Sequence, residues 1–439
     1  MHRHMVGRMA RHVTRRVAAF AGAALALASA QAGAQTVAIV GGTVYPVSGP
    51  RIERGTVLMR DGRIVAVGAN VTVPADAQRV DATGKIVTPG FINAATQLGV
   101  VEVGAVRDTR DASARGRDNV AAAFAVWEGY NPASVNIAPA LDEGVTSAVV
   151  VPSGGLIAGQ AAVVDLVGRT ASEAVRRPSA AMVAQVGDTR AAGVNARGEL
   201  IARLREVLSD ARAYGRTRAA FERNQSRDFA ASRLDLEALQ PVLAGTLPML
   251  VEADRASDID AALRLKREFG LRMMIVGGAE AWQVADRLAA ERVPVVTGAM
   301  NNIPGGFAEL GQRQENAALL ARAGVPVAII GNAGGGDEEL FNVRNVRFEA
   351  GNAVAYGMPF DAALRAVTLT PAELFGVADR VGALAVGRDA NVVIWSGDPF
   401  EFATQAERVY VRGRESTSPT RQDLLTQRYR TPPGSGYRP

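Results

Sequence analysis

Five near-continuous apolar runs are spaced along the middle of this 439-residue chain: "VTSAVVV" (145–151), "LPMLVEA" (247–253), "LRMMIVGG" (271–278), "VPVVTGA" (293–299) and "VPVAIIG" (325–331). A strand reads this way when both of its faces are buried, as in a parallel sheet covered by helices. Helical stretches separate the later runs, at 257–269, 279–291 and 313–323. In the first, Ile259, Ala262, Leu263 and Phe269 fall on one side and Gly270 supplies the stop. Such alternation implies an α/β architecture with right-handed crossovers. Adding "IVTPGFIN", "AAVVDLV" and "AMVAQVG" brings the strand candidates to eight, the number a closed barrel needs. Two of the eight are equally compatible with a hairpin.

The ends of the chain read differently. "TVAIVGGTVYPV", "GTVLMRDGRIVAVG" and "QRVDATGK" alternate apolar and polar residues, and Asp61-Gly62 is a hairpin turn signal. A second patch, "GALAVGRDANVVIWSGD" followed by "RVYVRGRE", lies near the other terminus. Both pieces together predict one small sheet domain assembled from the two ends.

Residues 1–34 have the parts of an export signal: arginines, the apolar stretch Val17–Leu27, and small residues at Ala32-Gly33-Ala34 for cleavage. Export to the periplasm is the expectation, with no stable membrane span after cleavage. The same segment carries Arg3, Arg8, Arg11, Arg15 and Arg16 and no acid, so the formal +5 of the chain resides there. The remainder is near neutral, and nucleic acid is not an expected partner. Zero cysteines rule out disulfides and thiolate ligands.

Three segments carry a family resemblance: "GKIVTPGFINA", "NPASVNIAPALDEGVTSAVVVPSGGLIAGQ" and "TLTPAELFGVADRVGALAVGRDANVVIWSGDP". With them the chain resembles the amidohydrolase superfamily, in particular its imidazolonepropionase-like members. The resemblance implies a distorted (β/α)8 TIM barrel with a small composite β-sandwich domain, of the α/β class. The boundaries expected are 1–34 for the export signal, 35–85 plus 382–415 for the composite domain, 86–381 for the barrel and 416–439 for a polar C-terminal tail. It also implies metal-assisted hydrolysis of C–N bonds at the C-terminal ends of the barrel strands.

The ligands such chemistry requires are missing. Where the family has a His-x-His pair, this chain has Ala95 and Gln97; the later histidine positions hold Glu252 and Gly277, and the last strand's aspartate position holds Asn332. The only histidines are His2, His4 and His12, all in the export signal, and the two lysines, Lys85 and Lys266, lie away from the strand ends. A His-based zinc site cannot be built from such a mature chain. Asn keeps the size of Asp but cannot act as a base, whereas Ala95 and Gly277 are expected to vacate volume. No cofactor is expected, with carboxylate-bound Mg, Mn or Ca left open.

Glu252 and Asp254 share one strand parity and are the remaining catalytic candidates, as an acid–base pair or as a solvated, salt-bridged strand terminus. Asp337, Glu338 and Glu339 in "GNAGGGDEEL" read either as cation ligands or as a flexible loop. "PSGGLIAGQ" is a lining loop or a turn, and it lacks the spacing of a phosphate loop. "RDTRDASARGRDN" is a salt-bridged surface loop or a docking site. Two readings of function follow. One is a catalytically inactive homologue that binds a small molecule or peptide, alone as a homo-oligomer or paired with an active relative. The other is an amide or cyclic-amide hydrolase with a carboxylate-based site.

Overall fold

The computed structural model describes residues 36–223, 225, 227–300, 303–331, 342–417 and 419–430. Residues 1–34, expected to be an export signal, lie outside the described residues, as do Asn332 and the acids 337–339.

All eight barrel strands anticipated from the apolar runs form: β6 (Phe91–Thr96), β7 (Val145–Val150), β8 (Ile157–Asp165), β9 (Val175–Gln185), β10 (Met249–Ala253), β11 (Met273–Gly277), β12 (Val295–Thr297) and β13 (Val327–Ile329). They make one sheet in chain order, and β13 returns beside β6, so the sheet nearly closes. The apolar runs are continuous because alternate residues serve two cores. Leu250, Met274, Val296 and Ala328 join the cluster inside the barrel, while Met249, Val251, Met273, Ile275, Val295, Val327 and Ile329 join the cluster under the helices. The helix Ala256–Phe269 ends on Gly270 at φ +70°, the left-handed stop that glycine adopts without a Cβ penalty.

The barrel departs from (β/α)8 at one strand. β8 runs antiparallel to both β7 and β9, while every other paired neighbour in the sheet is parallel. The physical reason is length. The short turn between Val150 and Ile157 is too small for a parallel crossover, which needs a dozen or more residues.

The terminal segments form a second sheet from β1 (Thr36–Val44), β2 (Ile52–Arg60), β3 (Arg63–Gly68), β4 (Gln78–Asp81), β5 (Ile86–Pro89), β14 (Val392–Trp395), β15 (Ala406–Val411) and β16 (Arg414–Glu415). It is a single hydrogen-bonded sheet, where a sandwich was expected. β1 shifts register at Gly42, pairing with β4 before it and β5 after it, so one strand continues both pairings. Asp61 and Gly62, both at positive φ, make the β2–β3 hairpin turn anticipated from the sequence. "IVTPGFIN" divides at Gly90: its first half joins this sheet and its second half starts the barrel.

Candidate functional site

The C-terminal ends of the parallel strands carry the positions that matter for barrel chemistry. Ala95, near the end of β6, is buried in the apolar cluster that fills the barrel. Gln97 follows, half-buried, with its carbonyl accepting the N–H groups of Val100 and Val101.

Glu252 and Asp254 have partners on opposite flanks of β10. The Glu252 carboxylate accepts a hydrogen bond from Gln185 Nε2 at 2.6 Å, at the end of β9. The same Gln185 is held by its other atom, since Oε1 accepts from the N–H groups of Gly187 and Asp188 at 3.0 Å each. Gln185 is a site residue that sequence reasoning missed. The only signal was its place in "AQVGD", at the end of an apolar run.

Asp254 turns the other way, toward β11. Its Oδ1 lies 2.5 Å from where a Cβ on Gly277 would stand, and it accepts a hydrogen bond from Ala279 N at 3.3 Å. Gly277 sits at φ +89°, a conformation that disfavours any side chain. The volume expected to be vacant at Gly277 is therefore taken by the Asp254 carboxylate. The register pairs Ala253 with Gly277, which brings the next residue, Asp254, alongside the glycine.

The electrostatics of Asp254 are unusual for an acid. Burial pushes its carboxyl up to about 6, and the nearby charges of Glu309, Asp258 and Glu280 push the same way against the Ala279 N–H. Among the described residues, Asp254 forms no ion pair. Glu280 spends its oxygens on backbone N–H groups, at Ala256 and Gly311, both at 3.0 Å.

The rim beside this edge is apolar. Ile303 is 83% exposed, Phe307 89% and Leu310 64%, on the loop that follows β12. That loop is fixed at both ends. The buried Glu349 accepts from Ala299 N at 2.5 Å and Met300 N at 2.6 Å, and Trp282 Nε1 donates to Gly311 O at 2.8 Å. The "PSGGLIAGQ" glycines serve a turn: Gly154 and Gly155 both have positive φ, and Ile157 to Gln160 belong to β8.

Among the described residues, those at these strand ends do not fit a histidine-based catalytic zinc ion. They offer an alanine, an amide, a carboxylate already bound to Gln185, and a glycine whose space is filled. Among the described residues, no group of three or more histidine, cysteine, aspartate or glutamate side chains is placed to hold a metal.

Residues 279–416 match the amidohydrolase family model. Amidohydrolase tasK from Hapsidospora irregularis is 24% identical over 400 residues, which cover 82% of this chain and 39% of that longer protein. The chain thus spans well under half of that relative's length. Among solved structures, an amidohydrolase from Thermotoga maritima superposes with a TM-score of 0.79 at 28% identity, covering 87% of this chain and 100% of that one. Molinate hydrolase superposes with a TM-score of 0.56 at 21% identity, over 88% of this chain and 97% of that one, a likeness of fold alone. These findings support the amidohydrolase superfamily, with a nearly closed barrel of the same type and a β-rich domain beside it. No helix among the described residues is long and apolar enough to cross a membrane.

Proposed function

We propose that this amidohydrolase-fold chain has exchanged metal-assisted hydrolysis for binding, and acts outside the cytoplasm as a catalytically inactive binding or partner subunit. The observation that carries the reading is the Asp254 carboxylate beside Gly277, together with the absence of histidine from residues 13–439. A position that merely lost its ligand leaves a hole. Here the neighbouring strand has closed it, and Glu252 is tied to Gln185. The exposed Ile303, Phe307 and Leu310 supply apolar contact area at the same end of the barrel, suited to a small molecule or peptide.

A second reading rests on one specific observation. A carboxyl with a pKa of about 6 in a half-buried place is tuned for proton transfer near neutral pH. In that reading Asp254 is the acid–base group of a metal-free hydrolase for amides or cyclic amides, and Glu252 orients the substrate.

Turnover separates the two. The purified chain, Asp254→Asn and Glu252→Gln are assayed against a panel of N-acyl amides, cyclic amides and imidazolones. The inactive reading expects no hydrolysis above buffer in any of the three. Hydrolysis by the parent that falls at least about a hundredfold in Asp254→Asn would establish the second reading instead.

A further inference from the structure

A second concave site lies outside the barrel mouth. A cavity of about 820 Å³ opens between the β1–β2 turn and the helix Phe360–Ala366, with Ile86 of β5 on its wall. That volume suits a small organic molecule. None of its lining residues belongs to the barrel strands.

One wall is aromatic. Tyr45 and Phe360 stand with ring centroids 5.5 Å apart and planes tilted by 56°, and Phe400 backs Phe360 at 5.1 Å. Tyr45 and Phe360 are half-buried, so the pair offers apolar area to an incoming ring. Val47 lines the same cavity at φ +66° and, among the described residues, is the only β-branched residue at positive φ. Such a side chain rarely takes that conformation. The residue before it is fixed, since Pro46 O accepts from Leu384 N at 3.0 Å. Strained backbone concentrates at ligand clamps, and this outlier stands on a cavity wall.

Both signs of charge line the cavity, and two of its four charged groups are engaged elsewhere. Arg365 is held by both oxygens of Glu373 at 2.7 Å, and Asp398 Oδ1 accepts from Phe400 N at 2.9 Å. The other two are Arg51 and Asp361. They lie near enough to interact without forming an ion pair, and Asp361 has no hydrogen bond or ion pair among the described residues. Arg51 lies by the Tyr45 hydroxyl and pairs with Glu53 at 3.1 Å, with both members of that pair more than half exposed. A pair so exposed contributes little, and one carboxylate does not exhaust the five N–H donors of a guanidinium. A base and an acid thus face one cavity with a gap between them, beside an aromatic wall.

We propose that this cavity binds a free amino acid with an aromatic side chain. Its ammonium group meets Asp361, its carboxylate meets Arg51, and its ring lies against Tyr45 and Phe360. The proposal does not rest on the reading of the barrel mouth.

Calorimetric titration of the full chain with three matched probes tests it: phenylalanine, phenethylamine, which lacks the carboxylate, and hydrocinnamate, which lacks the ammonium group. Phenylalanine is expected to bind about tenfold or more tighter than either fragment. Asp361→Asn should weaken phenylalanine and phenethylamine by about tenfold and spare hydrocinnamate, and Arg51→Gln should weaken phenylalanine and hydrocinnamate and spare phenethylamine. Both positions are exposed, so the thermal unfolding of the two variants should match the parent's. No binding of phenylalanine at about 10 mM overturns the proposal. So does a phenethylamine that binds as tightly as phenylalanine, or a phenylalanine affinity indifferent to both substitutions.

Discussion

Asp165 and Asp254 are carboxylates at opposite ends of the same barrel, and their surroundings treat them in opposite ways. Asp165, 0% exposed, ends the antiparallel β8, which places it at the end remote from Glu252 and Asp254. It accepts from Ser147 Oγ at 2.8 Å, from Arg176 Nε at 3.2 Å and from Arg412 Nε at 2.6 Å. Arg176 also binds Asp389 at 2.7 Å, and Arg412 belongs to the β15–β16 turn of the terminal sheet. The Asp165 charge is fully answered, and in being answered it ties the two sheets together. Asp254 has one long backbone hydrogen bond and acids for neighbours. A barrel keeps its stability at one end and its freedom to bind at the other, and these two residues show the division in charge.

Breaking the contrast at its strong side has the larger effect. Asp165→Ala leaves Arg176 with Asp389 alone and removes the carboxylate of Arg412, and the expected loss is about 3 kcal/mol. Urea denaturation followed by circular dichroism measures it; a loss below about 1 kcal/mol would reduce the network to a surface-like pair.

Asp254→Asn should act in the opposite direction. The folded-state carboxyl is raised to about 6, so the parent holds a proton there at pH values where the unfolded chain has lost it. Its contribution to stability is full below about pH 4 and disappears as pH rises through about 6. The variant should match the parent at pH 4 and exceed it at pH 8 by about 1–3 kcal/mol. Parallel stability curves for the two proteins would contradict the burial of this charge.

Much of the barrel was legible because the strands are buried on both faces, and continuous apolar runs such as Leu247–Ala253 report that directly. Strand direction is not carried by periodicity. The reversal of β8 was written only in the shortness of the turn after Val150. Residue identity alone carried the expectation that Ala95, Gln97, Glu252 and Gly277 stand where the family has metal ligands. The packing at Gly277 was not legible, because Asp254 and Gly277 are far apart in sequence and meet only through the β10–β11 register. Gln185 was hidden for the same reason: its partner Glu252 lies on the next strand. The helix Arg421–Arg430 was read as a polar tail, although Thr420 and Asp423 carried the capping signal at the right spacing.

The central claim is that the strand ends of this barrel have been rebuilt without a metal. Elemental analysis of untreated protein, purified without chelators and compared with Gly277→His, tests it most directly. The account predicts no zinc or other transition metal approaching one ion per chain in the parent. It predicts none in the variant either, because the new side chain meets the Asp254 carboxylate. One tightly held ion per chain in the parent would contradict it.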